Sequence, residues 1–230
     1  MQEKFVKNGK VQIQYLIVNY SPDKIPLVII PGAIVGADDF YEGMKDKVNF
    51  YCIIISIRGR GKSSCPAEGY SKEDQISDIE AVVNEERINN FYILGHSVGA
   101  GLASYYSVKY PEKIKGLIIA DYLPRYPQFN TKWSERIRSH YNEDEVSENF
   151  LNGIVRDAVK EDYTDALAKC SFKTLLLKAG KEDSLLPLET ANKILENLTN
   201  ASLKVIDDSG HEMFWEKPEE VLRVIAEFIL

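Results

Sequence analysis

Histidine is scarce in this chain, and several marks of large protein classes are missing. His96, His140 and His211 are the only three histidines in 230 residues, so chemistry that needs an imidazole must use one of them. Cysteine is equally rare. Cys52, Cys65 and Cys170 are odd in number and spaced neither as a zinc site nor as a disulfide framework. Cys52 lies in an apolar run and reads as core filler. No apolar run approaches the ~20 residues that a bilayer span needs, and the opening MQEKFVKNGK has no apolar centre of a secretory signal. Positive charge is in deficit: 28 Lys and Arg against 35 Asp and Glu leave a formal net charge of −7. That balance argues against nucleic acid or an anionic membrane as a partner. The expectation is a single-domain protein of a reducing compartment, most simply cytoplasmic.

What the chain has is strand material. LVII at 27–30, YCIII at 51–55, FYIL at 91–94, GLIIA at 116–120 and TLLL at 174–177 are continuous apolar runs, with LKVI at 203–206 a shorter one. Such runs suit strands covered on both faces, as in a parallel sheet. VQIQYLIV at 11–18 partly alternates and reads as a half-exposed antiparallel strand, entered by a hairpin at NGK. Helical patterns fall between the strands. Residues 71–83 open on a Ser71/Asp74 capping box, residues 98–109 stop before Pro111, and residues 218–229 begin at Pro218 with one apolar face. Alternation of this kind predicts an α/β sheet with right-handed crossovers. Residues 124–168 break the pattern. They hold Trp133, tyrosines, many charges and short helical patterns, and they read as a helical cap inserted between two sheet strands over the strands' carboxyl ends.

One strand ends in GHSVG, residues 95–99. G-x-S-x-G alone is weak, with about 0.08 chance matches expected in a chain of this length. Its setting is more informative. An apolar strand precedes it and a small-residue helix follows, which is the strand–turn–helix context of a nucleophile elbow. Side chains at Gly95 and Gly99 would crowd that turn. Ser97 is therefore the candidate nucleophile, placed at a helix N-terminus that favours negative charge.

A serine needs a base, and the base needs a carboxylate to orient it. His96 adjoins Ser97 and should point elsewhere, and His140 falls in the cap. His211, on a loop between LKVI and the last helix, is the candidate base. For the acid, Asp183 follows TLLL by a short glycine-containing turn and is preferred. Glu182 beside it and Asp121, directly after GLIIA, are the alternatives. Ser97, Asp183, His211 run in the Ser…Asp/Glu…His order.

GHSVG, SIRGRGKSS, AGKEDSLLP and SGHEMFWEKPEEVLRVIAEFI, in that order, resemble the α/β-hydrolase superfamily over nearly the whole chain. The resemblance implies an α/β-hydrolase fold: an eight-stranded, mostly parallel sheet with an antiparallel second strand, flanked by helices. It also implies an oxyanion hole made by the backbone N–H groups of Val98 and Ala33, although Pro31 stands where many members carry histidine. Relatives with an aspartate nucleophile are set aside by Ser97. SIRGRGKSS is not a phosphate-binding loop, because Ser56 stands where its first glycine belongs.

The function implied is a serine hydrolase of small or medium acyl esters, with a small-molecule acyl substrate and no cofactor or metal. Lactonase, amidase, carbon–carbon bond hydrolase and cofactor-free perhydrolase activities share the triad, and a ligand-binding receptor shares the fold. Tyr122, Tyr126, Trp133, Phe214 and Trp215 are the candidates for an apolar acyl pocket.

Overall fold

A computed structural model describes residues 1–229. Eight strands form one sheet: β1 (Gln2–Asn8), β2 (Val11–Val18), β3 (Leu27–Ile30), β4 (Cys52–Ile55), β5 (Phe91–His96), β6 (Ile114–Ala120), β9 (Lys173–Ala179) and β10 (Ala201–Ile206). Two short strands, β7 (Arg125–Tyr126) and β8 (Glu161–Asp162), pair with each other outside it. The order in the sheet is β1-β2-β4-β3-β5-β6-β9-β10. β2 runs antiparallel to both β1 and β4, and every pairing from β4 to β10 is parallel.

Continuous apolar runs supply both faces because successive side chains point to opposite sides. Val28, Ile30, Ile53, Ile55 and Ile93 enter one core, together with α2 (Lys72–Glu85) and α3 (Gly99–Lys109). Leu27, Ile29, Cys52, Ile54 and Leu94 enter the other, beneath α1 (Ala37–Met44) and the C-terminal helix. The capping box forms: Ser71 Oγ accepts from the Asp74 N–H at 3.1 Å, and the Ser71 N–H donates to Asp74 at 3.1 Å.

β2 departs from the half-exposed strand its sequence suggests, being buried throughout except at Gln12. Gln14 is wholly buried because its amide is used in full. It donates to Asp38 at 2.6 Å and Glu3 at 2.8 Å, and accepts from Ser56 Oγ at 2.6 Å. A buried polar side chain keeps its place in a core when its hydrogen bonds are met.

Between β6 and β9 the chain forms β7, α4 (Thr131–Arg138), α5 (Glu148–Asp157), β8 and α6 (Thr164–Leu167). Asn130 caps α4 through the Trp133 N–H at 3.0 Å, and Arg138 grips Glu148 of α5 with two bonds of 2.7 and 2.8 Å. Beyond β9 come α7 (Leu188–Asn197), α8 (Met213–Glu216) and α9 (Pro218–Ile229). Among the described residues no helix is long and apolar enough to cross a membrane.

The connections decide where a site can form. From β3 the chain moves to β4 on one side, then crosses to β5 on the other. The carboxyl ends of β3 and β5 therefore flank a switch point, the place where open α/β sheets bind ligands.

Candidate active site

Ser97 stands at the end of β5 with φ of 54°, a left-handed conformation costly for a residue with a Cβ. The turn is held from both sides. The Ser97 N–H donates to Ala120 O at 3.0 Å, and Ser97 O accepts from the Ala100 N–H at 2.9 Å. The flanking glycines are required by contact. A Cβ on Gly95 would stand 2.3 Å from Gly99 O, and one on Gly99 would stand 2.2 Å from Ile30 O. Helix α3 thus sits directly against the ends of β5 and β3. Across the switch point Gly32 meets the serine, its Cβ position 3.4 Å from Ser97 Cβ.

Asp121 repeats this geometry one strand over. It ends β6 with φ of 48°, and its N–H donates to Leu177 O at 2.7 Å. Its side chain is fully buried and takes four donors: His211 Nδ1 at 2.8 Å, Ser184 Oγ at 2.6 Å, and the N–H groups of Ala179 at 2.9 Å and Leu185 at 3.0 Å. Burial pushes its carboxyl pKa up, but the bonds from His211, Ser184, Ala179 and Leu185 outweigh it and hold it at about 2. An ionised carboxylate only accepts, so His211 carries its proton on Nδ1 and leaves Nε2 as the basic nitrogen.

Asp183, the carboxylate the sequence favours, is not at the imidazole. It is exposed, and its Oδ2 accepts from the backbone N–H of His211 at 3.3 Å. The turn after β9 projects Asp183 to the surface and brings the Ser184 hydroxyl and the Leu185 backbone N–H to Asp121. Glu182 is also exposed.

His96 is buried and makes no hydrogen bond to the Ser97 side chain among the described residues. Its Nε2 lies 3.0 Å from His211 O, so that nitrogen carries the proton and Nδ1 is left without a partner. Its ring stacks on His211 with centroids 4.9 Å apart. Burial, together with the nearby His211, lowers its pKa to about 4 and keeps it neutral. His140 is exposed on the cap.

Ser97, His211, Gly32, Ala33 and Val98 line one cavity of about 480 Å³, with Tyr122, Phe129, Trp133 and Ile137 from the β6 end and cap. Neither the Val98 nor the Ala33 N–H has a hydrogen-bond partner among the described residues. Phe214, expected in the pocket, is instead a core residue. It is fully buried, 4.7 Å from Phe40 and 5.3 Å from His96 between ring centroids, and supports His96 from behind. Tyr126 is likewise buried, with its hydroxyl bonded to Gln75. Trp215 packs on Phe40. Cys52 is a buried core residue, and the three cysteines are free.

A serine elbow at the switch point of an α/β sheet, beside a histidine–carboxylate pair, is the architecture of the α/β hydrolases. The chain belongs to the alpha/beta hydrolase fold family, whose sequence model matches residues 25–143. The AB hydrolase superfamily protein YisY of Bacillus subtilis is 23% identical, over 88% of this chain and 91% of that one. A proline iminopeptidase of Lactobacillus helveticus is 23% identical, over 94% of this chain and 93% of its own. The esterase EaEST from Exiguobacterium antarcticum shares the fold with a TM-score of 0.78 at 21% identity, covering 99% of both chains. These relatives support a hydrolase.

Proposed function

We propose that the protein is a serine hydrolase of small or medium carboxylic esters, with Ser97 as nucleophile, His211 as base and Asp121 as the carboxylate that orients the base. The 2.8 Å bond from His211 Nδ1 to Asp121 carries this reading, because it commits one ring nitrogen and frees the other for the serine. Ser97 Oγ attacks the ester carbonyl while Nε2 of His211 takes its proton. The N–H groups of Val98 and Ala33 stabilise the oxyanion. The imidazolium then protonates the departing alcohol, leaving an acyl-enzyme. Water, activated by the same nitrogen, attacks the acyl carbon and releases the acid and the free serine. Ser97 and His211 make no hydrogen bond among the described residues, and contacts of this kind tighten when substrate binds.

Substrate size follows from the cavity, which falls within the roughly 300–1,000 Å³ usual for small-molecule sites. Tyr122, Phe129, Trp133 and Ile137 offer an apolar wall to an acyl chain. Free cysteines suit a reducing compartment, and we read the protein as cytoplasmic.

A 4-nitrophenyl ester series of increasing chain length tests the proposal beside Ser97→Ala, which should lower kcat/KM roughly 10,000-fold. Lactone, anilide and vinylogous diketone substrates in the same panel identify the bond preferred. A fluorophosphonate probe should label Ser97. Wild-type esterase activity in purified Ser97→Ala rules the assignment out.

A further inference from the structure

Arg60 is a cation buried without an anion. It is 4% exposed, and no carboxylate lies within ion-pair reach among the described residues. The nearby buried carboxylate, Asp78, is already held by Arg58 through bonds of 2.8 and 2.7 Å. Arg60 spends its donors on neutral acceptors instead. Nε donates to Ala33 O at 2.8 Å, and Nη1 donates to Arg58 O at 3.0 Å and Gln75 Oε1 at 2.8 Å. Its guanidinium lies 4.6 Å over the ring of Phe150, on cap helix α5. Burial lowers the Arg60 pKa from its ordinary value, and the nearby charge of Asp78 offsets that only in part. A buried charge without a counter-ion is expensive, so its position in the fold calls for a reason.

Two observations show where that use lies. Ala33, whose carbonyl Arg60 grips, supplies one of the two oxyanion N–H groups in the mechanism above. Arg60 also lines a small void with Pro31, Gly32, Val98 and Gly99, so it borders both segments that carry the oxyanion N–H groups. The same residue reaches the cap twice, through Phe150 and through Gln75, which donates to the Tyr126 hydroxyl at 2.5 Å. Gly59 fits this packing: its φ is 81°, and a Cβ there would stand 2.7 Å from the Phe150 ring.

We propose that Arg60 is a positioning residue for the oxyanion hole, fixing the Ala33 loop in its donor geometry and tying that geometry to the seating of the cap through Phe150. The proposal rests on the hydrolase reading above. Its fork geometry explains why an arginine suits the place: one planar group must reach Ala33, Arg58 and Gln75 together while stacking on a ring. Its positive charge also favours the oxyanion across a water-poor interior.

The test compares wild type with Arg60→Met, Arg60→Lys, Phe150→Leu and the double variant Arg60→Met/Phe150→Leu. Each is assayed on a short 4-nitrophenyl ester, for affinity toward a trifluoromethyl ketone, and for thermal midpoint. Losing an oxyanion donor outright costs about 100- to 1,000-fold, so loss of its support should lower kcat about 10- to 100-fold. KM should stay within about threefold, ketone affinity should fall in step with kcat, and Arg60→Lys should recover part of the loss. Phe150→Leu should show a smaller effect of the same kind, and the double variant should cost less than the product of the singles. Unchanged kcat and ketone affinity in folded Arg60→Met overturn the inference while the hydrolase reading stands. If Arg60→Met does not fold, the same comparison is made on Arg60→Lys and Phe150→Leu, and wild-type kcat in both overturns it. A wild-type protein that neither turns over esters nor reacts with a fluorophosphonate overturns the hydrolase reading and this inference together.

Discussion

Asp121 and His211 are joined by a 2.8 Å hydrogen bond between a fully buried carboxylate and Nδ1 of the imidazole, and Asp121 shares its left-handed strand-end geometry with Ser97 on the adjacent strand. Asp183 approaches the same histidine from the other side but reaches its main chain, at 3.3 Å. Two carboxylates therefore hold one loop, one by the ring and one by the backbone.

These two roles separate by mutation. Asp121→Asn should lower kcat by roughly 10,000-fold, because an amide cannot fix the tautomer or stabilise the imidazolium. Asp183→Asn should cost less than about tenfold, since an amide oxygen still accepts from a backbone N–H. Steady-state kinetics on one ester decide it, and the reverse order would return the acid's role to Asp183.

The elbow glycines should differ sharply from Gly9 in the β1–β2 turn. A Cβ at Gly99 meets the backbone oxygens of Ile30 and Pro31 at 2.2 and 2.4 Å, and main chain cannot yield as a side chain can. Gly99→Ala should cost about 3 kcal/mol or more in urea unfolding. At Gly9 nothing lies within 4 Å, and only its positive φ of 61° opposes a side chain. Gly9→Ala should cost about 1 kcal/mol.

Acid should weaken the fold in two stages. His96 is held neutral to about pH 4, while in the unfolded chain it protonates near 6.5. Between those values the unfolded state binds a proton that the folded state refuses, so stability falls as pH drops, by roughly 3 kcal/mol in all. Asp121 has a folded pKa of about 2, below its ordinary 3.8. Its contribution is fully present above pH 4 and is lost as pH falls through 2, roughly 2 kcal/mol. Urea titrations from pH 7 to pH 2 should show the first limb in wild type and not in His96→Gln. The second should be smaller in Asp121→Asn, where Glu80 and Asp157, also held below the ordinary carboxylate range, still contribute.

Trp133 lines the cavity and packs on Phe129 at 4.5 Å between centroids. Trp133→Ala should lengthen the preferred acyl chain by about two carbons and lower kcat/KM on the shortest esters about tenfold. An unmoved chain-length optimum would make it cap packing alone.

The sheet was legible because its evidence is local: continuous apolar runs, a capping box at Ser71 and Asp74, and helices bounded by Pro111 and Pro218. GHSVG was legible for the same reason, since close approach of α3 to β5 and β3 leaves no room for side chains at Gly95 and Gly99. Alternation misled at β2, where Gln14 is polar yet buried because Asp38, Glu3 and Ser56 meet its amide. Those partners come from distant segments, and no local pattern announces them.

The sequence by itself determined the strand and helix alternation and the glycine-flanked Ser97 turn, and it singled out His211 as the candidate base. Only the tertiary structure decided which carboxylate faces that base, that Phe214 backs His96 instead of lining the cavity, and that Arg60 reaches from Ala33 to the cap. The physical reason is direction. Asp121 and Asp183 both follow apolar strands in the sequence, but which one turns inward depends on the φ of 48° at Asp121 and on the Ser184 and Leu185 donors that meet it. Those donors lie in the very segment that had made Asp183 the favoured acid.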